Sequence, residues 1–311
     1  AQEGRIFVQA HYLRAAETLR TTVTQARELG MCGTDILGTG FAFDLHIHTG
    51  ASSYVCGEET ALLESLEGKR GIPRPRPPYP AQAGMWAKPT VVNNVETLAN
   101  VPTVLAHGSD TFRSRGTDGS PGTKIFTLAG NVNRAGAAEF PFGVTLRQLI
   151  YRCGGGPPKG STLRAVLLGG PTGGMLPPRY LNTPVDFDSL QDAGSMMGSG
   201  AVLVADQGNC VLDLLLNQLE FLCDEACGKC VPCRAGIRQM LNIVRAITER
   251  RGRPSDVEDL KRIAAALKAA GTCGLGQAAP NPVLSTIRHF GAVYRAHIER
   301  GVCPAGVCHM Q

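Results

Sequence analysis

Apolar and polar positions change their rhythm twice along this chain. Near the start, Arg5-Ile6-Phe7-Val8 is a strand-like run, and Leu13, Ala16, Leu19, Val23 and Ala26 then recur at intervals of three and four residues. That period predicts an amphipathic helix from about Tyr12 to Leu29, stopped by Gly30 and Gly33. Phe43-Asp44-Leu45-His46-Ile47-His48 alternates apolar and polar and predicts a second strand, with His46 and His48 on one polar-facing edge. Gly57 to Leu66 predicts a second helix ending at Gly68. The strand–helix–strand–helix order implies an α/β layer with a largely parallel sheet. The stretch from Pro73 to Pro80 cannot continue a helix and predicts an ordered, partly extended loop.

The rhythm then shortens. Gly116 to Gly122 reads as a domain boundary, followed by strands over Lys124 to Ala129 and Leu163 to Leu168 and a short helix near Leu146 to Tyr151. From Cys210 onward the period becomes helical. Val211 to Phe221 is densely apolar, and Ile237, Met240, Leu241, Val244 and Ile247 form a stripe. Ser255 with Glu258 three residues on predicts a capping box for a third helix that Gly271 ends. Leu284, Ile287, Phe290, Tyr294 and Ile298 share one face of a fourth helix, from Pro282 to Glu299. Four short-looped helices imply a bundle. The expected fold class is therefore α/β followed by α+β and all-α. The domains would run 1–118, 119–206 and 207–300, with a cysteine-containing tail at 301–311.

Composition narrows the function classes. The 311 residues are 43% hydrophobic and 18% charged, ordinary for a soluble globular protein. No apolar run approaches the roughly 20 residues of a membrane span. The net charge of +5 is mild, the basic residues are scattered and only 5% of residues are aromatic, which argues against nucleic-acid binding. Ala1-Gln2-Glu3-Gly4-Arg5 shows neither a charged n-region nor an apolar h-region, so the expected location is cytoplasmic, or peripheral on the inner face of a membrane.

The 11 cysteines are an odd number, which suits metal ligands plus buried thiols better than a disulfide framework. Cys227, Cys230 and Cys233 are spaced C-x₂-C-x₂-C, and Cys273 follows later in Thr272-Cys273-Gly274. A tight loop aims three thiolates at one point and the distant fourth closes the shell. Four thiolates suit a [4Fe–4S] cubane. Zinc also takes four, but typically from two C-x₂-C pairs. The tail, Cys303-Pro304-Ala305-Gly306-Val307-Cys308-His309, offers two thiols and an imidazole. These would be part of a zinc or iron–sulfur site completed elsewhere, or free thiols at a terminus. Cys32, Cys56, Cys153, Cys210 and Cys223 read as small buried apolar residues.

Two further stretches carry candidate chemistry. Tyr54-Val55-Cys56-Gly57-Glu58-Glu59-Thr60 puts two carboxylates where a helix starts. It is either a capped N-terminus or a cofactor edge that Gly57 lets the backbone approach. Val92-Asn93-Asn94-Val95-Glu96-Thr97 places paired amides before another helix, as a turn and cap or as partners for a ring that both donates and accepts.

Together, Cys56-Gly57-Glu58-Glu59-Thr60-Ala61-Leu62 with Ser65-Leu66-Glu67-Gly68, Lys88 through Leu98, and Cys227-Gly228-Lys229-Cys230-Val231-Pro232-Cys233-Arg234 resemble the NADH-binding flavoprotein subunit of respiratory complex I. The same stretches resemble its relatives in soluble NAD-dependent formate dehydrogenases and NAD(P)-linked hydrogenases. The resemblance implies a Rossmann-like FMN/NADH layer, a β-grasp-like small domain and a four-helix bundle holding a [4Fe–4S] cluster. It implies FMN contacts from Tyr54, Gly57, Glu58, Val92, Asn93, Asn94 and Thr97. Glu59 would lie near the nicotinamide and ribose, Arg76 and Tyr79 near the nucleotide, and Cys227, Cys230, Cys233 and Cys273 on the cluster. No side chain is expected to act as acid or base. The family's glycine-rich phosphate loop has no counterpart before Arg5, so the layer is expected to be incomplete. On that expectation the chain is a truncated product or gene fragment, or another polypeptide supplies the rest. The implied function is electron input, from NADH through FMN and the cluster to a thioredoxin-like [2Fe–2S] protein and further iron–sulfur subunits. The alternative is a non-catalytic electron-transfer or assembly module without flavin.

Overall fold

The computed structural model describes residues 1–50 and 52–309, and the chain divides into two compact units, 1–92 and 93–311. In the first, β1 (Glu3–Gln9) leads into α1 (Leu13–Glu28), and β2 (Asp44–Gly50) then pairs with β1 in parallel, Ile6 opposite Ile47. A parallel pair needs such a crossover, and α1 supplies it. Ala16 and Val23 on α1 are buried and Leu19 and Ala26 partly so, whereas Leu13, expected on the same stripe, is exposed where the helix begins. One turn at Tyr54–Gly57 precedes α2 (Glu59–Leu66), which buries Ala61, Leu63 and Leu66. The proline-rich stretch beyond it is irregular until the single turn α3 (Pro80–Ala83).

The second unit begins with α4 (Val95–His107) and α5 (Ser109–Arg113). A tight turn at Gly116–Pro121 then opens a five-stranded mixed sheet. Its strands are β3 (Thr123–Gly130), β4 (Gly136–Pro141), β5 (Leu163–Leu168), β6 (Met175–Leu176) and β7 (Ala201–Asp206), in the order β4-β3-β7-β5-β6. Only β3 and β7 run parallel. A wide helical turn at Gln148–Cys153 and the short α6 (Phe187–Asp192) cover one face. The continuous apolar run Ala165-Val166-Leu167-Leu168 in β5 has a physical reason. Val166 and Leu168 join a core with Phe126, Leu128, Leu146 and Ile150, while Ala165 and Leu167 face the opposite way into the core of the helices. A strand buried on both faces loses the alternation that marks a half-exposed one.

Four longer helices follow: α7 (Val211–Glu225), α8 (Val231–Thr248), α9 (Asp256–Ala270) and, after the short α10 (Gly274–Ala278), α11 (Asn281–Ile298). Leu212, Leu215, Leu219 and Leu222 of α7 interlock with Ile237, Met240, Leu241 and Val244 of α8, Leu260, Ala264 and Leu267 of α9, and Val283, Val293 and Tyr294 of α11. The capping box expected at Ser255 and Glu258 does not form. The Ser255 side chain caps nothing, Asp256 accepts the Arg253 N–H at 2.7 Å instead, and Glu258 pairs with Lys261 on the helix surface.

Truncating the centre of α7 should loosen the whole bundle. Leu219→Ala removes a fully buried side chain, and such truncations cost about 2–5 kcal/mol. For a unit of this size that is a fall in thermal midpoint of roughly 5–20 °C, readable by calorimetry under anaerobic conditions.

Candidate cluster and cofactor site

In the first unit the acidic pair is held from both ends. Glu58 caps α2: its Oε2 accepts the Thr60 N–H at 3.0 Å, the Ala61 N–H at 2.9 Å and the Thr60 hydroxyl. Its Oε1 pairs with the Arg76 guanidinium, which also reaches Glu59 Oε1 at 2.8 Å. The capped helix start is therefore realised, and the ion pairs with Arg76 fix both carboxylates beside it. Beside it, Gly57 faces open space, since a Cβ built there meets nothing within 4 Å. Tyr54 and Tyr79 are exposed on the same unit, and Val92 closes it partly buried.

Arg76 and Tyr79 lie on the proline-rich loop, and Arg74 ties that loop down. The Arg74 N–H donates to Thr60 Oγ1 at 2.8 Å, and its guanidinium reaches Glu64, Glu67 at 2.7 Å and the Gly84 carbonyl at 2.8 Å. Burial works against the ionised Glu67 carboxyl. Hydrogen bonds from Lys69, Arg74 and the Trp86 N–H outweigh it and hold its pKa at about 2. Asn93, Asn94 and Thr97 belong to the second unit, at the start of α4. Asn94 caps the helix by accepting the Glu96 N–H at 2.8 Å, and Asn93 and Thr97 are exposed. Glu96 in turn pairs with the buried Lys124 of β3 at 2.5 Å, which anchors α4 to the sheet.

Cys227 follows directly on the end of α7, Cys230 is the N-cap of α8, Cys233 lies in its first turn and Cys273 is the N-cap of α10. Gly228, at φ +76°, takes the left-handed turn that folds the loop back, and Arg234 Nη1 closes it on the Gly228 carbonyl at 2.9 Å. Burial, followed by the charges of Cys230, Cys273 and Cys227, pushes the Cys233 thiol up to about 12. Gly276 of α10 packs against Cys233, its Cβ position lying 3.6 Å from the Cys233 Sγ, so Cys273 at the start of that helix comes beside the triplet despite its distance along the chain. Burial also opposes the Cys230 thiolate, but the N–H of Thr272, the N–H groups of Cys233 and Cys230 and the Thr272 hydroxyl outweigh it and lower its pKa. Four convergent thiols with N–H donors aimed at one of them fit the ligand shell of a [4Fe–4S] cluster.

A second group was only partly visible in the sequence. Cys210, His297, Cys303 and Cys308 place their ligand atoms all within 4.8 Å of one another, the first three buried. Cys210, by its sequence an apolar filler, is buried at the N-cap position of α7 and faces His297, its Sγ 3.6 Å from the imidazole Nε2. Its thiol is drawn down to about 4, first by the Cys308 S–H and then, against burial, by His297. The imidazole in this group is His297; His309 is exposed and outside it. Cys210 and His297 stand 87 residues apart, a pairing with no local signal.

The chain matches three family profiles in order. Residues 1–103 match the Nuo51 FMN-binding domain, 125–176 the SLBB domain and 213–297 the NADH-ubiquinone oxidoreductase-F iron-sulfur binding region. These define a flavoprotein with an iron–sulfur region, and the chain belongs to the family of the NADH-quinone oxidoreductase F subunits. It is 43% identical over 304 residues to the F 2 subunit of the NADH-quinone oxidoreductase of Rhizobium meliloti, covering 98% of this chain and 72% of that one. It is 40% identical over 301 residues to the corresponding F subunit of Escherichia coli, covering 96% and 68%. The NADP-reducing hydrogenase subunit HndC of Solidesulfovibrio fructosivorans is 45% identical over 308 residues, or 99% of this chain and 63% of HndC. In three dimensions the chain superimposes on a crystal structure of an NAD⁺-reducing [NiFe]-hydrogenase in the H₂-reduced state with a TM-score of 0.83 and 34% identity, covering 96% of this chain and 49% of the other. The chain thus spans under two thirds of HndC and about half of the hydrogenase chain. No helix among the described residues is long and apolar enough to cross a membrane.

The Glu67 knot gives the first unit an acid-sensitive element. Folding lowers the Glu67 pKa from an ordinary 4.5 to about 2. Its contribution is therefore fully present above about pH 4.5 and is lost as the pH falls toward 2. Glu67→Gln should be less stable than the parent at pH 7 and show a flatter stability profile between pH 4.5 and 2, measured by denaturant titration at a series of pH values.

Proposed function

We propose that this chain is the electron-input subunit of an NAD(H)-linked oxidoreductase complex, oxidising NADH or reducing NAD and exchanging electrons with partner subunits through a [4Fe–4S] cluster. The observation that carries this reading is the convergence of Cys227, Cys230, Cys233 and Cys273 at the end of a helix bundle, in a chain whose other end matches an FMN-binding profile. In this reading the first unit contributes to a Rossmann-like FMN/NADH layer, the mixed sheet is the β-grasp-like small domain and α7, α8, α9 and α11 are the cluster-bearing bundle. The nearest implied partner is a thioredoxin-like [2Fe–2S] protein, and further iron–sulfur subunits come after it.

FMN, when bound, supplies the conversion between a hydride and single electrons. The chain's own residues bind and orient. Glu58, fixed by the α2 N-terminus, presents a carboxylate beside the open backbone at Gly57, and Tyr54 offers a ring next to it. Glu59 is assigned to the nicotinamide and ribose, with Arg76 holding its carboxylate in place and Tyr79 on the same loop. Val92, Asn93, Asn94 and Thr97 supply amide and hydroxyl partners for a ring edge. Cys227, Cys230, Cys233 and Cys273 hold the cluster, and Arg234 stiffens their loop.

Anaerobic purification of the chain with its partner subunits, and then metal, sulfide and flavin analysis, tests the assignment. The expected result is about four irons bound by this chain, lost in Cys273→Ser, and bleaching of a flavin band by NADH. Glu59→Gln should leave iron and flavin content unchanged and raise KM for NADH about tenfold, the size of one lost charge-assisted hydrogen bond. Iron without flavin and no response to NADH would leave the electron-transfer or assembly module. Zinc on the four cysteines in place of iron would overturn both.

A further inference from the structure

The second thiol group lies outside everything the proposed electron path uses. The iron–sulfur profile ends at residue 297, whereas Cys210, Cys303 and Cys308 fall on either side of it. The group is also distant from the cluster cysteines. Cys210 caps the first turn of α7 and Cys227 follows its last, and 15 helical residues span about 22 Å. α11 returns in the opposite sense, starting just after α10 and ending beside His297. The bundle therefore carries thiols at both ends.

The two ends differ in scale. A cubane spreads its thiolates over four irons, whereas a single ion draws all its ligands to one centre. Zinc–sulfur bonds of about 2.3 Å and zinc–nitrogen bonds of about 2.0–2.1 Å at a tetrahedral angle put sulfur and nitrogen about 3.6 Å apart and two sulfurs about 3.8 Å apart. Cys210 Sγ and His297 Nε2 are 3.6 Å apart, and the whole set falls within 4.8 Å. The imidazole is oriented for the task. His297 Nδ1 lies 2.9 Å from the Val293 carbonyl, so the Nδ1–H is donated to it and the Nε2 lone pair faces the sulfurs. The loop is shaped as well: Gly306, at φ +70°, brings its own N–H to the Cys303 carbonyl at 3.0 Å, and N–H groups of Cys308, Val307 and Ala305 point at Cys303 Sγ. Three thiols and one imidazole, mostly buried and from three separate segments, form a closed four-coordinate shell with no position left for substrate.

We propose that Cys210, His297, Cys303 and Cys308 bind one tetrahedral zinc ion, a structural and redox-silent centre that fastens the chain beyond α11 to the end of the bundle opposite the iron–sulfur cluster. The segment from Gly301 to His309 has neither helix nor strand and buries only Cys303, so little besides the ion holds it. Zinc is the fit among thiophilic ions because it takes Cys₃His tetrahedrally and has no redox chemistry of its own.

Metal analysis of the anaerobically purified complex should find one zinc on this chain in addition to its cluster iron. Zinc-edge X-ray absorption should show three sulfurs near 2.3 Å and one nitrogen near 2.0–2.1 Å. Cys308→Ser, at the partly exposed corner, should lose the zinc at least tenfold while keeping iron content and the visible cluster band. Cys230→Ser should do the reverse, and chelation of the zinc should expose the Cys303–Cys308 loop to protease. If Cys308→Ser is insoluble, His297→Gln with the same analysis serves. Zinc content unchanged in these variants would overturn the proposal. So would iron that falls with Cys308→Ser while zinc is absent, which would make the site a second iron–sulfur centre.

Discussion

Both thiol groups of the second unit depend on one apolar contact surface, the seam along which α7 meets its three neighbours. Leu212, Leu215, Leu219 and Leu222 are all fully buried, at the spacing that keeps one helix face inward over about three turns. Packing that face fixes the direction and depth of α7, and with it the positions of Cys210 at one end and Cys227 at the other. Thiols cannot hold a metal unless they are brought within bonding reach and kept there. The leucine seam does this for both ends without contributing a polar atom. The sheet extends the same device, because Ala165, Leu167, Met175 and Ala205 enter the helical core and seat the bundle on β5, β6 and β7.

Helix N-termini recur at several of the acceptors and thiols. Glu58 caps α2, Asn94 caps α4, and Cys210, Cys230 and Cys273 occupy the N-cap positions of α7, α8 and α10. Unpaired N–H groups at these ends favour an anion or an acceptor, which lowers the cost of holding a carboxylate or thiolate away from water. In the first unit the same aim is reached by ion pairing. Arg76 bridges Glu58 and Glu59, while Arg74 and Lys69 keep the nearly buried Glu67 charged. Such partly buried networks set geometry more than they add stability, and here they set the path of a proline-rich loop that has no regular structure to fix it.

Particular elements show what could be read in advance. The first two strands, α1, α2 and the four long helices were legible because each has a clean period and a Gly or Pro boundary. Three strands were not: β4 (Gly136-Ala137-Ala138-Glu139-Phe140-Pro141) has no strong apolar run, β7 follows a glycine-rich stretch, and β6 is a two-residue pairing that exists only because β5 lies beside it. Ser255 and Glu258 had the spacing of a capping box, yet Arg253 and Asp256 satisfied the helix end first. The cysteine triplet was legible because its ligands are neighbours in sequence. Cys210 was not, because as an isolated cysteine before an apolar run it has the signature of a core residue.

By itself the sequence determined the order of the main elements, the cysteine loop after α7 and the acidic and amide stretches at the starts of α2 and α4. These depend on local period, turn residues and short-range spacing, which a linear chain displays directly. Tertiary structure decided the rest: that Cys273 returns to the triplet, that Arg76 closes on Glu58 and Glu59, and that Cys210, His297, Cys303 and Cys308 meet at the far end of the bundle. The physical reason is common to all three. Each joins residues whose separation along the chain is large, and only the burial of a shared apolar core, or a salt bridge across a folded loop, brings them within a few ångströms.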